Sequence, residues 1–313
     1  MAILNMFRCV WIGVFAFFYW VFPIGAQVGF YDVRFARCDV DGDGVWEVVA
    51  GGRMGPALPV DAPRHLHQGG VGIFRASGNM LHMLSTRQDL HAILDVAAGD
   101  IDGDGRDEIA TVGLGQLTIF AFQQDQLKTR LVVDLEGLWT DRVVIDDVDG
   151  DGRDDVGVTV YEMEDQAEIG QTTVVFYRWQ GSRLLPFRRL LVDQHVGDLC
   201  VVSNHLVMEV GSGDEGGQAR MYGLTDGIEH TRTLLTQNGV RVLSLDTQDT
   251  RLIAGSIDGL LGMFDVVPTG LVFVGRQTVE RGIKSLVWLP NGLGGSFWIG
   301  NNHQGVVLHP LGF

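Results

Sequence analysis

D39-V-D-G-D-G-V-W-E47 places carboxylates at positions 1, 3, 5 and 9 of a nine-residue loop, and the chain repeats that spacing in D100-I-D-G-D-G-R-D-E108 and D147-V-D-G-D-G-R-D-D155. Carboxylate oxygens are hard donors, and Ca²⁺ takes about six to eight such ligands at roughly 2.3–2.6 Å. The first loop offers Asp39, Asp41, Asp43 and Glu47, with the backbone carbonyl of Val45 at position 7. The second offers Asp100, Asp102, Asp104 and Glu108 with the carbonyl of Arg106, and the third Asp147, Asp149, Asp151 and Asp155 with that of Arg153. Glycines at positions 4 and 6 of every copy allow the positive φ that a tight curl around an ion requires. Carboxylates held this close repel one another unless a cation neutralises them. Three equal copies therefore point to metal cages rather than solvated turns, and the expected cofactor is Ca²⁺, up to three per chain.

An EF-hand opens in the same way but needs a bidentate Glu at position 12 and a helix on each side. Position 12 is Ala50, Thr111 and Val158, none of which ligates through its side chain. E47-V-V-A-G-G, E108-I-A-T-V-G and D155-V-G-V-T-V-Y are rich in β-branched residues and end at turn formers, so each loop joins strand to strand.

The pattern D-x-D-G-D-G-x-x-[DE]-[IV] followed by a small apolar strand resembles the FG-GAP or VCBS repeat, the unit of the β-propeller at the head of integrin α-subunits and of many secreted bacterial proteins. The resemblance implies that each acidic loop connects the first two strands of a blade and holds Ca²⁺ through the carboxylates named above. It names a fold and a metal, and no function.

Repeats extend outward from the loops. Blade one reads V33-R-F-A-R-C, E47-V-V-A-G-G, G70-V-G-I-F-R and M80-L-H-M-L-S; blade two H91-A-I-L-D-V-A-A, E108-I-A-T-V-G, Q116-L-T-I-F-A-F and L127-K-T-R-L-V-V-D-L; blade three R142-V-V-I-D, D155-V-G-V-T-V-Y, T172-T-V-V-F-Y-R-W and L184-L-P-F-R-R-L-L-V. Blades four and five keep the strands without the loops. Blade six, K284-S-L-V-W-L, S296-F-W-I-G and G305-V-V-L-H-P, lacks a fourth strand, which Q27-V-G-F-Y-D is expected to supply. The expected fold is an all-β, six-bladed (alternatively seven-bladed) β-propeller of four-stranded blades. Closing the ring with an N-terminal strand protects the strand edges.

The 313 residues carry 43 glycines against 8 prolines, which suits a protein of tight turns. A formal charge of −16 argues against nucleic acid, whose phosphates demand a basic face, so no nucleic-acid partner is expected. Three Ca²⁺ would take −16 to about −10, so much of the acidity is metal chemistry. Residues 1–26 form their own unit: Arg8, an apolar run from Cys9 to Phe22, then P23-I-G-A26 before Gln27, the layout of a secretory signal peptide or, uncleaved, an N-terminal anchor. Residues 27–313 form one propeller domain, and the expected location is secreted, periplasmic or cell-surface, with membrane contact only through an uncleaved leader.

Cys38 and Cys200 fall in inner strands on opposite sides of the ring, too far apart for a disulfide, whose Cα atoms lie within about 7 Å. No G-x-S-x-G, P-loop, H-E-x-x-H or C-x-x-C occurs. His65 and His67, and the acidic group Glu162, Glu164, Asp165, Glu168, Asp214 and Glu215, read as solvated turns, while Trp179, Trp288 and Trp298 read as blade packing. The functional reading is a non-catalytic module for an unidentified protein or carbohydrate ligand. Its alternatives are an extracellular carbohydrate-active enzyme of the polysaccharide-lyase kind and an envelope-assembly scaffold. The enzyme would need a convergent Lys, Arg, Tyr or His constellation. Loops 53–69, 162–171 and 211–217 are expected on the face opposite the acidic loops.

Overall fold

A computed structural model describes residues 21–22, 30–54, 68–77, 80–135, 139–161, 163–164, 168–169, 171–210, 218–224, 229–233, 242–248, 250–256, 259–278, 283, 285–289, 296–301 and 305–310. The fold is an all-β propeller. Five blades are each a four-stranded antiparallel sheet of consecutive strands. Blade one is Phe30–Cys38, Glu47–Met54, Gln68–Ser77 and Met80–His91, and blade two is Asp95–Gly99, Glu108–Gly113, Gln116–Gln123 and Gln126–Asp134. Blade three is Val143–Asp146, Asp155–Val160, Thr172–Gln180 and Arg183–Val192, with a small ribbon, Met163–Glu164 on Glu168–Ile169, at the turn between its second and third strands. Blade four is Val196–Val202, His205–Val210, Gln218–Gly223 and Glu229–Thr233, and blade five is Val242–Gln248, Arg251–Ser256, Leu260–Val267 and Gly270–Thr278.

The chain ends meet in one more four-stranded sheet, Ser285–Leu289, Ser296–Asn301, Gly305–Pro310 and Val21–Phe22. This corrects the expected closure. The strand beside Gly305–Pro310 is Val21–Phe22, paired Val21 to Val307 and Phe22 to Val306, while Phe30–Asp32 extend the inner strand of blade one. The physical reason is that Phe30–Asp32, half of the expected closing segment, are already committed to blade one, where Phe30 pairs with Met54. The inner strand of blade two likewise starts at Asp95, because His91 pairs with Gln68 in blade one. Residues 1–20 and 23–29 lie outside the described set, as do most of loops 53–69 and 162–171, all of 211–217, and with them His65 and His67. Among the described residues no helix is long and apolar enough to cross a membrane.

Burial follows strand position. The second strands of blades two and three, Glu108–Gly113 and Asp155–Val160, are buried at every residue because blades cover both of their faces, so they read as continuous apolar runs. The outer strand Gln126–Asp134 alternates exposed and covered residues. The core is not central but lies between blades: Val49, Val71 and Ile73 of blade one pack on Ile93, Val96, Ile109 and Phe120 of blade two. The same layer repeats between blades two and three around Ile119, Val156 and Trp179. Trp179 and Trp288 are buried, and Cys38 and Cys200 are buried free thiols.

The inner strands pack in cyclic order, blade to blade, and return from the terminal sheet to blade one. They line a channel whose cavity of about 150 Å³ is bordered by Arg34, Asp95, Asp198 and Ser285. A charge pattern runs around it. The residue opposite the fifth residue of each second strand is Arg34 in blade one, Asp95 in blade two and Asp198 in blade four, with Arg142 hydrogen-bonded to the equivalent Thr159 in blade three. Blade five and the terminal sheet place Ser244 and Ser285 in the same register. Positive and negative residues thus alternate through four blades. Arg34 meets Asp198 across the channel at 3.8 Å, the Val143 amide donates to Asp95 Oδ2 at 3.0 Å, Arg142 Nε donates to the Gly197 carbonyl, and the Phe35 amide donates to Ser285 Oγ at 3.0 Å. Blades are stitched through their charges as well as their apolar faces.

Burial lifts the Asp95 carboxyl to about 6 against the pull of Arg34 and Arg142, with the Asp198 charge adding to the rise. A folded value above the unfolded one, about 3.9, means that the folded state binds the proton more tightly, so stability falls as pH rises from about 4 to about 6. In EGTA, wild type should lose on the order of 2 kcal/mol relative to Asp95→Asn across that window. Parallel stability curves for the two proteins between pH 4 and 6.5 would refute this.

Candidate metal centres

The three acidic loops fold alike because the same atoms make the same bonds. At position 1, Asp39 Oδ1 accepts from the amides of Gly42 at 2.9 Å and Asp43 at 3.1 Å, and Oδ2 accepts from Gly44 at 2.9 Å. Asp100 does the same with Gly103, Asp104 and Gly105 at 2.8, 3.0 and 2.8 Å, and Asp147 with Gly150, Asp151 and Gly152 at 2.8, 3.1 and 2.9 Å. At position 5, Oδ1 of Asp43, Asp104 and Asp151 accepts from the amides of Val45, Arg106 and Arg153 at 2.8, 3.0 and 3.0 Å. The curl requires left-handed glycines at positions 4 and 6, and Gly42 and Gly44 have φ of 72° and 78°. A Cβ on Gly42 would also meet the Gly105 carbonyl at 2.9 Å, so adjacent loops touch.

That contact is part of a clasp. Asp107, at position 8 of the second loop, accepts from the Asp39 amide at 2.7 Å and returns its own amide to the Asp39 carbonyl at 3.0 Å. Asp154, at position 8 of the third, does the same to Asp100 at 2.8 and 3.2 Å. The second and third loops thus each hold the first residue of the preceding loop, and burial raises the Asp107 carboxyl to about 6. The side chains of Arg106 and Arg153 lie over Gly42 and Gly103 of the preceding loops.

Ligand atoms converge within 4.8 Å in three clusters: Asp39, Asp41 and Asp43; Asp100, Asp102 and Glu108; Asp147, Asp149 and Asp155. Glu47, Asp104 and Asp151 stand outside those clusters, although Glu47 and Asp151 are tied to them through an arginine. Glu108 and Asp155 are 3% and 2% exposed, and burial raises both carboxyls to about 7, with Asp102 adding to the first and Asp151 to the second. Glu108 Oε2 and Asp155 Oδ2 are buried with no hydrogen-bond partner. A buried acceptor left unpaired costs about 1–3 kcal/mol, and more when charged. A cation at these oxygens would remove that cost, so the donor set fits a hard metal ion.

Each cage also contains a guanidinium. Arg75 Nη2 lies 2.8 Å from Asp41 Oδ2 and 3.4 Å from Asp43 Oδ2, and also contacts Glu47. Arg130 Nη1 is 2.6 Å from Asp102 Oδ2 and 2.5 Å from Glu108 Oε1, and Arg178 contacts Asp149 while its Nε stands 3.7 Å from both Asp151 and Asp155. The sequence reading missed all three arginines and the clasping Asp107 and Asp154. Repeat alignment carries part of the signal, since Arg75 and Arg178 each follow the aromatic residues that end a third strand.

A second polar group gathers at the opposite face, where the inner strands begin. Asp141 Oδ2 is 3.2 Å from His195 Nε2, Asp141 Oδ1 accepts from the Thr159 hydroxyl at 3.0 Å, and Arg142 stands beside Asp141 at 3.8 Å. The His195 ring meets Tyr161 edge-on at 5.9 Å. Burial and the Asp141 charge raise the Tyr161 hydroxyl, so it stays protonated. Burial pushes the Asp141 carboxyl up, yet the Arg142 charge and the His195 bond together hold it below its ordinary value. Asp246, Asp249, Asp214, Glu215 and the acidic turn of blade three have side chains outside the described residues. No family model matches the chain, and no curated protein matches it either.

Proposed function

We propose that this chain is an exported calcium-binding β-propeller of the FG-GAP/VCBS kind, a ring of six blades whose function is non-catalytic capture of a protein or carbohydrate. The carrying observation is the threefold recurrence of one hydrogen-bonded acidic loop, with buried unpartnered carboxylate oxygens in two of the three cages. All-oxygen donors select Ca²⁺ over softer metals. Asp39, Asp41, Asp43 and Glu47 would hold the first ion, and their counterparts the second and third. Outside the cytosol, sites with dissociation constants of about 10⁻⁴–10⁻³ M fill. The metal face stiffens the scaffold, and loops 53–69, 162–171 and 211–217 on the other face meet the partner, since long loops on a rigid frame are where binding tends to reside. Because Met54 still belongs to one strand and Gln68 already to the next, replacing 55–67 by a tight turn should abolish capture on glycan and extracellular-protein arrays and leave calcium stoichiometry unchanged. Undiminished capture would place the binding face elsewhere.

One observation favours a second reading, the carbohydrate-active enzyme. Tyr161, His195, Asp141 and Arg142 form the convergent Tyr, His and Arg group that such an enzyme requires, on the partner face. Asp141 would fix the His195 ring so that its other nitrogen takes the proton from the carbon α to the uronate carboxylate, while a protonated Tyr161 gives its proton to the leaving glycosidic oxygen and a C=C bond replaces the two bonds broken. Uronate-containing polysaccharides incubated with wild type and His195→Ala distinguish the readings. Chain cleavage by wild type alone supports the enzyme, and cleavage by neither supports the binding module.

A further inference from the structure

Three arginines reach three acidic cages by two different routes. In blade one the position-9 carboxylate, Glu47, lies directly opposite Arg75 in the strand register. In blade three, one step beyond the Val156–Tyr177 pair, Asp155 lies opposite Arg178. In blade two the same step beyond the Ile109–Phe120 pair sets Ala121 opposite Glu108, and a small side chain stands where the arginine would be. There the guanidinium comes from the next strand: Phe120 pairs with Thr129 and Ile119 with Leu131, leaving Arg130 as the extra residue of a β-bulge that reaches past Ala121 to Glu108. The arginine has changed strand and kept its target. Blade five lacks the acidic loop, and there the pair persists with its signs exchanged: Arg251 begins the second strand, Asp265 lies opposite, and they meet at 2.8 Å on the surface.

We propose that Arg75, Arg130 and Arg178 are built-in counter-cations that exchange with the metal. The inference rests on the calcium reading above and goes beyond it to how the sites are regulated. Asp41 Oδ2, Asp43 Oδ2 and Glu47 bind the Arg75 guanidinium, and Asp102 Oδ2 and Glu108 Oε1 bind that of Arg130. These are oxygens that an ion at about 2.3–2.6 Å needs. Metal and guanidinium compete for them as positive charges in one small cage, and each ion that enters displaces one arginine. The displaced group has somewhere to go. Arg130 already lies over Trp179 at 4.7 Å and Arg178 over Phe187 at 4.6 Å, and the three side chains are 30%, 24% and 33% exposed. The arginines hold the loops folded when calcium is scarce and set a concentration threshold for loading.

Calcium titration calorimetry on the full chain tests this with Arg75→Gln, Arg130→Gln and Arg178→Gln, singly and combined, alongside melting in EGTA. Each glutamine should tighten its own site about tenfold or more, leave the number of ions unchanged, and lower the melting temperature in EGTA while enlarging the rise that calcium produces. Arg130→Gln should also abolish a calcium-induced change in tryptophan emission that Trp179→Phe removes. A purely structural ion pair would lower melting equally with and without calcium and leave affinity unchanged. Wild type binding three ions and the single variants binding them with equal or weaker affinity would overturn the exchange and leave the cages standing. Binding by none of the proteins would overturn both.

Discussion

Removing calcium with EGTA should lower the melting temperature of the metal-loaded protein by on the order of 15 °C. A ligand at a hundredfold excess over its dissociation constant contributes about 2.7 kcal/mol per independent site. Three sites give roughly 8 kcal/mol, and in domains of about 150–250 residues each kcal/mol shifts melting by about 2–4 °C. This is an upper bound, because the clasps through Asp107 and Asp154 couple neighbouring loops and the three arginines supply part of the compensation. Differential scanning calorimetry in calcium and in EGTA reads the difference directly. Identical melts would mean that the loops need no ion.

Arg142→Met should cost about 3–5 kcal/mol, read as a lowered urea midpoint. The guanidinium donates to the Gly197 and Asp141 carbonyls and is the positive charge between Asp95 and Asp198 in the channel belt. Methionine fills the space but leaves Asp95 and Asp198 with Arg34 alone to offset them, and Asp141 with only His195 and Thr159. Breaking a buried pair by removing one partner is expensive because the other charge stays buried. A midpoint within about 0.5 kcal/mol of wild type, the usual range of surface changes, would show that the alternating charges do not hold the blades.

What the sequence made legible was local. Carboxylates at fixed spacing within nine residues, and glycines where φ must be positive, announce the loops without tertiary information, and the β-branched runs after them announce the second strands. What it hid was long-range. Val21–Phe22 reads as part of an apolar leader, and a strand of two residues carries no periodicity of its own. Arg130 escapes repeat alignment because the bulge position it fills is Leu84 in blade one and Phe187 in blade three, so the same role sits on a different strand. The channel belt was visible in principle: Arg34, Asp95 and Arg142 each stand five residues before a loop's first aspartate. Within one blade each is a single charge at one register position, and only the ring shows that their signs alternate. Tyr161 and His195 meet because the second strand of blade three ends beside the start of blade four, a contact that no spacing rule encodes.

The central claim, that each acidic loop is a separate calcium cage, is tested most directly by counting bound ions in wild type, Asp102→Ala and Asp246→Ala by calcium calorimetry. Position 3 carries an obligatory carboxylate in the proposed cage, while D246-T-Q-D-T lacks the glycines and the full ligand set. The account predicts about three ions for wild type, about two for Asp102→Ala and about three for Asp246→Ala. Three ions retained in Asp102→Ala, or none bound by wild type, would contradict it.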